Sequence, residues 1–195
     1  IDMIRNRKKN ANKNSRFYYL SSNSVGKTFN QKIDKVVSNL YHSQADYQFI
    51  TSSENNAWLL NIRGKDSKYA PIPNSFVLID KNKKVYLFCN LKKINSNFRK
   101  KFKDVKFIKI DHVELVLSKI QNKKFIIDKK TCSVFFENQI ARNNKILKKS
   151  DIIYFLKAIK TKKEIKNIQK AHINDGAALT KYLFWIKNNY KKKNI

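Results

Sequence analysis

Residues 55–66 read NNAWLLNIRGKD. An apolar patch, Trp58-Leu59-Leu60, runs straight into Asn61-Ile62-Arg63-Gly64, where one of six arginines stands beside one of three glycines. Lysine, asparagine and isoleucine are spread almost evenly through the rest of the chain, which makes this run its most particular stretch. Its flanks read as alternating elements. DYQFIT (46–51) has the composition of a strand, and Ser53 with Glu54 opens a short helix carrying Trp58 and Leu59. Beyond the run, SFVLID (75–80) and KVYLFC (84–89) are β-rich and joined by KNK, a hairpin signature.

Outward from this centre, Ile33, Val36, Val37 and Leu40 recur at i, i+3, i+4, i+7 and predict an amphipathic helix from about Gln31 to His42. Helices are expected over about 95–103, 112–120 and 131–139. VKFIKI (105–110) and KFIID (124–128) are expected strands. Strands alternating with helices imply a mixed α/β layer structure, not a bundle or a sandwich. Residues 1–30 are polar and poorly periodic, and are expected to form a mobile arm or linker. Near the other end, Thr161-Lys-Lys-Glu164 is a capping box. Ile165, Ile168, His172, Leu179, Leu183 and Ile186 then follow at helical spacing. Gly176 interrupts this helix at a cost of about 1 kcal/mol relative to alanine, which suggests close packing there.

Forty-three basic residues against 14 acidic ones give a formal charge of +29, which ordinarily points to nucleic acid or an anionic membrane. The excess accompanies abundant Asn, Ile, Phe and Tyr and scarce Gly, Pro and Arg, the bias of A/T-rich codons. A dedicated nucleic-acid reader would concentrate its charge and favour arginine forks. Nucleic acid is therefore the alternative partner rather than the leading one. With 42% hydrophobic residues the chain can fold a core, so wholesale disorder is excluded. Cys89 and Cys132 lie far apart with no CxxC, and read as reduced core residues of a cytoplasmic protein. No apolar run approaches the roughly 18 residues of a membrane span. The chain begins with Ile1 and stops in KNNYKKKNI, so both ends are expected to be boundaries of a fragment or of an unusual reading frame.

Three stretches carry candidate sites. SSNSVGKT (21–28) has the context of a phosphate-binding loop, but Ser21 stands where the pattern needs its first glycine. His172 and Asp175 share a helix face at i, i+3, yet two donors do not close a metal site. Arg63 and Asp66 shape the turn after the opening run. They read either as an internal ion pair fixing it or as groups lining a cleft.

The stretch SSENNAWLLNIRGKDSKYAPIPNSFVLID (52–80) resembles the second domain of the three-domain Xaa-Pro aminopeptidases, the aminopeptidase P family. LKAIKTKKEIKNIQKAHINDGAALTKYLFWI (156–186) is similar to the first helix of the same family's catalytic, pita-bread domain. The similarity runs from about Val25 to Trp185, and it makes VGKTFNQKI the linker into the first helix of this domain. Lys65 and APIPNSF (70–76) depart from the family's loop. The resemblance implies a creatinase N-terminal-like mixed sheet flanked by helices over 31–155, preceded by an arm over 1–30. Residues 156–195 would be the opening helix of a pita-bread domain. The family removes an N-terminal residue preceding proline using two manganese or zinc ions. None of its five ligands maps onto this chain, so no cofactor is expected in it. The implied chain is the non-catalytic N-terminal portion of such an enzyme, inactive alone: a split-gene half, a pseudoenzyme binding module or a gene remnant. Its partners would be a downstream catalytic fragment or a second copy, with peptide substrate engaged only alongside the catalytic part.

Overall fold

Strands that are apolar at almost every position must be covered on both faces, and the run SFVLID has that character. In the computed structural model, which describes residues 15–193, it forms β4 (Ser75–Asp80) near the centre of a six-stranded sheet. The order is β6-β5-β4-β2-β7-β8, with β2 Tyr47–Ile50, β5 Val85–Cys89, β6 Val105–Lys109, β7 Lys124–Ile127 and β8 Lys145–Lys148. β4 runs antiparallel to both β2 and β5, while the β5–β6, β2–β7 and β7–β8 pairs are parallel. The expected hairpin is therefore present. Its turn is held by Asp80, whose Oδ1 accepts from Asn82 N and Lys84 N at 2.8 and 2.9 Å.

Because side chains alternate along a strand, the sheet divides its residues between two cores. Val77, Ile79, Leu87, Cys89, Ile50 and Ile126 point to one face. There they meet α2 (Phe29–His42), α3 (Ser53–Leu59), α4 (Ser96–Lys101) and α7 (Ile152–Ala158). Leu78, Phe88, Phe49, Phe125 and Ile127 point to the other, under α5 (Val113–Ser118) and α6 (Val134–Ala141). The four predicted apolar positions of α2 are all buried. Cys89 and Cys132 are buried free thiols, and burial pushes them up to about 12 and about 11.

The expectation of a mobile arm over 1–30 divides. Residues 1–14 lie outside the described residues, but 15–30 are folded onto the domain. Phe17 is 4% exposed in the first core, and β1 (Tyr18–Tyr19) pairs antiparallel with β3 (Ile62–Arg63). A short α1 (Ser22–Val25) follows, ending at Gly26 with φ +77°. A Cβ on Gly26 would come within 2.4 Å of Thr161 Oγ1. Gly26 thus packs the first helix against the start of the last one, α8 (Lys162–Lys193).

The capping box of α8 is formed. Thr161 N donates to Glu164 Oε2 at 2.7 Å, and Glu164 N donates to Thr161 Oγ1 at 3.2 Å. Asn167 Nδ2 ties the first turns to Ser24 O at 2.8 Å. Past Asn167 nearly every residue of α8 is exposed. A Cβ on Gly176 would meet nothing within 4 Å, so the close packing expected there is absent.

One buried carboxylate joins the layers. Asp151 accepts from Gln48 Nε2 (2.9 Å) on β2, Asn55 Nδ2 (2.7 Å) on α3, and Ile153 N (3.0 Å) as the N-cap of α7. Its own N–H donates to Asp128 Oδ2 at 3.0 Å, beyond the end of β7. Burial raises the Asp151 pKa, and the three donated hydrogen bonds hold it down. Truncating such a group strands two buried amides and uncaps α7. Asp151→Ala should cost about 3 kcal/mol, read as a lowered urea midpoint. Thr161→Ala, which removes the cap and trims the side chain that packs on Gly26, should cost about 1 kcal/mol in the same assay.

Candidate functional site

The run that opened the sequence reading folds as the end of α3, a left-handed step and β3. Asn61 takes φ +56°, a conformation asparagine tolerates better than most residues. Its side chain accepts from Lys32 Nζ at 2.6 Å and donates to Lys27 O at 2.9 Å, while its carbonyl accepts from Leu20 N at 2.8 Å. Residues 20–32, distant in sequence from Asn61, thus close on it at three points.

Lys32 is only 2% exposed. Its ammonium also donates to Trp58 O at 2.7 Å and sits 3.9 Å from the centroid of the Trp58 ring. Burial pulls its pKa down to about 8. Glu164 opposes that shift, and Arg63 and Lys27 add to it.

Arg63 and Asp66, read either as a mutual pair or as groups lining a cleft, are each engaged by other partners. Arg63 Nη1 donates to Ala57 O at 3.0 Å and to Ile62 O at 2.8 Å. The guanidinium therefore bridges a carbonyl in the last turn of α3, where the helix dipole favours a cation, and one in β3, and burial lowers its pKa. Asp66 Oδ1 pairs with Lys93, and its Oδ2 accepts from Asn74 N at 2.8 Å. The pairing fails for a geometric reason: β3 turns Arg63 back under α3, while the chain after Gly64 turns Asp66 towards the segment following β5. Gly64 is required by close approach, since a Cβ there would lie 3.0 Å from Pro73 Cα and 3.1 Å from Phe17 Cδ1.

Asp66 and Lys93 lie in an open cleft of about 510 Å³, walled by Ile72 and Ile110 and edged by Ser67, Asn74 and Asn90. Arg63 is not among its lining residues. Lys93 gave no signal in the sequence, being one lysine in a lysine-rich chain; only the fold brings it to Asp66, 27 residues away.

The remaining candidates separate from this cleft. Thr28 is spent as the N-cap of α2 in a capping box with Gln31, and Gly26 caps α1, so SSNSVGKT is a helix–turn–helix linker and not a phosphate loop. His172 and Asp175 are exposed on α8. Among the described residues no group of three or more His, Cys, Asp or Glu is placed to hold a metal ion, so they do not fit a dinuclear centre. No helix among them is long and apolar enough to cross a membrane.

Comparison with known proteins places these features. The family model of the creatinase/prolidase N-terminal domain matches residues 8–164. Xaa-Pro aminopeptidase 1 of Dictyostelium discoideum is 31% identical over 186 residues, covering 93% of this chain and 29% of that protein. Xaa-Pro aminopeptidase ApepP of Drosophila melanogaster is 28% identical over 175 residues, covering 86% and 28%. Among solved structures, the X-prolyl aminopeptidase of Caenorhabditis elegans, a cytosolic enzyme with a di-nuclear active site, superposes with a TM-score of 0.80 at 20% identity. It covers 92% of this chain and 30% of that one, and at this identity it establishes the fold. The chain thus spans about three tenths of the length of these relatives. The comparisons lend the nucleic-acid alternative no support.

The buried lysine gives a pH signature. Between its folded pKa near 8 and its ordinary value of 10.5, the unfolded chain binds more proton, so the cost of burying the ammonium is relieved as pH rises. The raised thiol pKa values act in the opposite sense above pH 9, where the unfolded thiols ionise first. The two effects separate in a difference measurement. From pH 8 to 10 the wild-type chain should gain about 2 kcal/mol relative to Lys32→Met in urea unfolding.

Proposed function

The chain belongs to the creatinase/prolidase N-terminal domain family, and from that premise we propose that it is the non-catalytic N-terminal portion of a cytoplasmic Xaa-Pro aminopeptidase. The observation that carries this reading is the pattern of coverage. Xaa-Pro aminopeptidases match 93% and 86% of this chain, but only 29% and 28% of their own lengths. The chain supplies a scaffold whose core runs from Phe17 to Ile153 and, in α8, the helix that would enter a catalytic domain. The two metal ions and the bond cleavage belong to residues other than those described. What this chain contributes is position: α7 and the α1–α8 contact fix the direction in which α8 leaves the domain.

The surface of α8 supports this role. Ile165, Ile168, Leu179, Tyr182, Leu183 and Phe184 are all exposed, a large apolar display for a soluble helix. A downstream catalytic fragment would cover it, and a second copy is the other candidate occupant.

Two outcomes are expected. The chain alone should show no cleavage of an Xaa-Pro peptide, and activity should appear when the matching downstream fragment and manganese are added. A folded, matched fragment that stays inactive with this chain would overturn the reading. Separately, the uncovered helix should make the isolated chain associate with rising concentration in sedimentation velocity. Because α8 is rich in lysine, that association should strengthen with salt, and Leu183→Glu should abolish it.

A further inference from the structure

The helical cover of the second core is narrow for the span it crosses. The chain leaves the sheet at β6 and returns at β7, passing over β5, β4 and β2. Four strand spacings amount to about 19 Å, whereas a helix is only about 10 Å across. α5 and α6 share this face, tied by Gln139 Nε2 donating to Glu114 Oε1 at 3.1 Å, and Phe136 of α6 packs on Phe49 and Phe76. That packing closes the face at the Phe76 end of β4. Nearer Leu78, a slot of about 290 Å³ stays open between the sheet and α5 with the residues that follow it.

The floor of the slot is Leu78, Tyr86 and Ile108 on neighbouring strands, and its roof is Val116 and Ile120. The sheet register sets Leu78 opposite Tyr86 and Tyr86 opposite Lys106, so the apolar floor ends in a cation at β6. The Lys106 ammonium lies 6.0 Å from the centroid of the Tyr86 ring. Lys119, just past α5, brings a second cation to the rim, and neither lysine has a carboxylate partner among the described residues. The β2 side differs. There the Tyr47 ring stacks on Phe125 at 5.0 Å between centroids. Burial raises the Tyr47 pKa, and the nearby Asp80 and Asp46 carboxylates raise it further. The slot is therefore apolar along its length, cationic at the β6 end and bordered by carboxylates at the other.

Such a gradient selects a ligand with one charge at one end. A hydrocarbon tail lying between the apolar walls leaves water, which is favourable in proportion to the area removed. A negative headgroup is drawn to the two ammoniums and repelled from the Tyr47 end. The slot has the volume of about ten water molecules, near the lower end for ligand pockets, which suits a single short tail rather than a folded segment or a lipid with two tails. We infer that this slot is a binding site for a free small carboxylate with one apolar tail, its headgroup at Lys106 and Lys119 and its tail over Leu78. The site lies wholly within this domain and is independent of the function proposed above.

The test uses the 195-residue chain itself, titrated with sodium octanoate and followed by amide NMR. Saturable shifts should appear at Tyr86, Ile108, Val116 and Ile120, half complete at about 2 mM. Octanamide, which has the same tail without the charge, should bind about fivefold more weakly, and acetate should not saturate. Lys106 and Lys119 are exposed, so the double variant Lys106→Gln, Lys119→Gln should fold as the wild type does. It should weaken octanoate about fivefold, the effect of two surface charge contacts, and leave octanamide unchanged. Val116→Trp, which fills the slot from its roof, should abolish binding of both. Three results overturn the inference. Shifts confined to the exposed face of α8 would put the tail there. Acetate shifts equal to those of octanoate would mark only the general attraction of a +29 chain for anions. Octanoate affinity unchanged in the double variant would remove the headgroup site.

Discussion

The carboxylate of Asp151 is the point on which the layers of this domain depend. It lies past the ends of the parallel strands, where β2, β7 and β8 deliver their backbones to the same edge. Three elements donate to it, and its own N–H reaches Asp128. A buried charge is costly to desolvate, and the raised pKa records that cost. The cost is offset because every donor it receives is itself a buried group that would otherwise be unpaired. The result is a fixed angle between α3, α7 and the sheet. Since α8 follows α7 directly, that angle also sets the path of the long helix.

A second polar centre, around Asn61, performs the same service on the other side of α3. Lys32, Lys27 and Leu20 all close on it, and Arg63 donates to the Ala57 carbonyl in the last turn of α3. The particularity of NNAWLLNIRGKD is thus largely structural. Its asparagine holds a left-handed step, its arginine caps a helix, and its glycine admits a proline ring. Only at Asp66 does the run reach the open cleft, and there the partner is Lys93.

The two ends of the domain differ in how their apolar surface is used. The sheet is closed on both faces by helices and shows two well-packed aromatic groups, one around Phe98 and Phe102 and one around Phe49, Phe76 and Phe136. The long helix leaves that core after its first turns and carries leucine, tyrosine and phenylalanine into solvent. A chain that packs its sheet so completely has no intrinsic need for such a helix. The exposed face is the surface that the proposed downstream fragment would cover.

The sequence by itself determined the elements whose signal is local. The hairpin of β4 and β5, the amphipathic α2, the short helix carrying Trp58 and the capping box of α8 follow from periodicity and cap chemistry within a few residues. The resemblance in 52–80 and 156–186 likewise identified the family. Other elements were not legible. β1 and β3 are two residues each, β8 is a four-residue Lys-Ile-Leu-Lys strand, and α7 is seven residues long. Segments so short have no stable conformation of their own and are ordered by partners far along the chain. The same reason governs the site. Asp66 and Arg63 sit three residues apart and invite pairing, yet the turn at Gly64 sends them to opposite sides. Lys93 for Asp66, and Gln48 with Asn55 for Asp151, are choices of tertiary structure, because a charge finds its partner through space and a sequence records only the order in which the groups are strung.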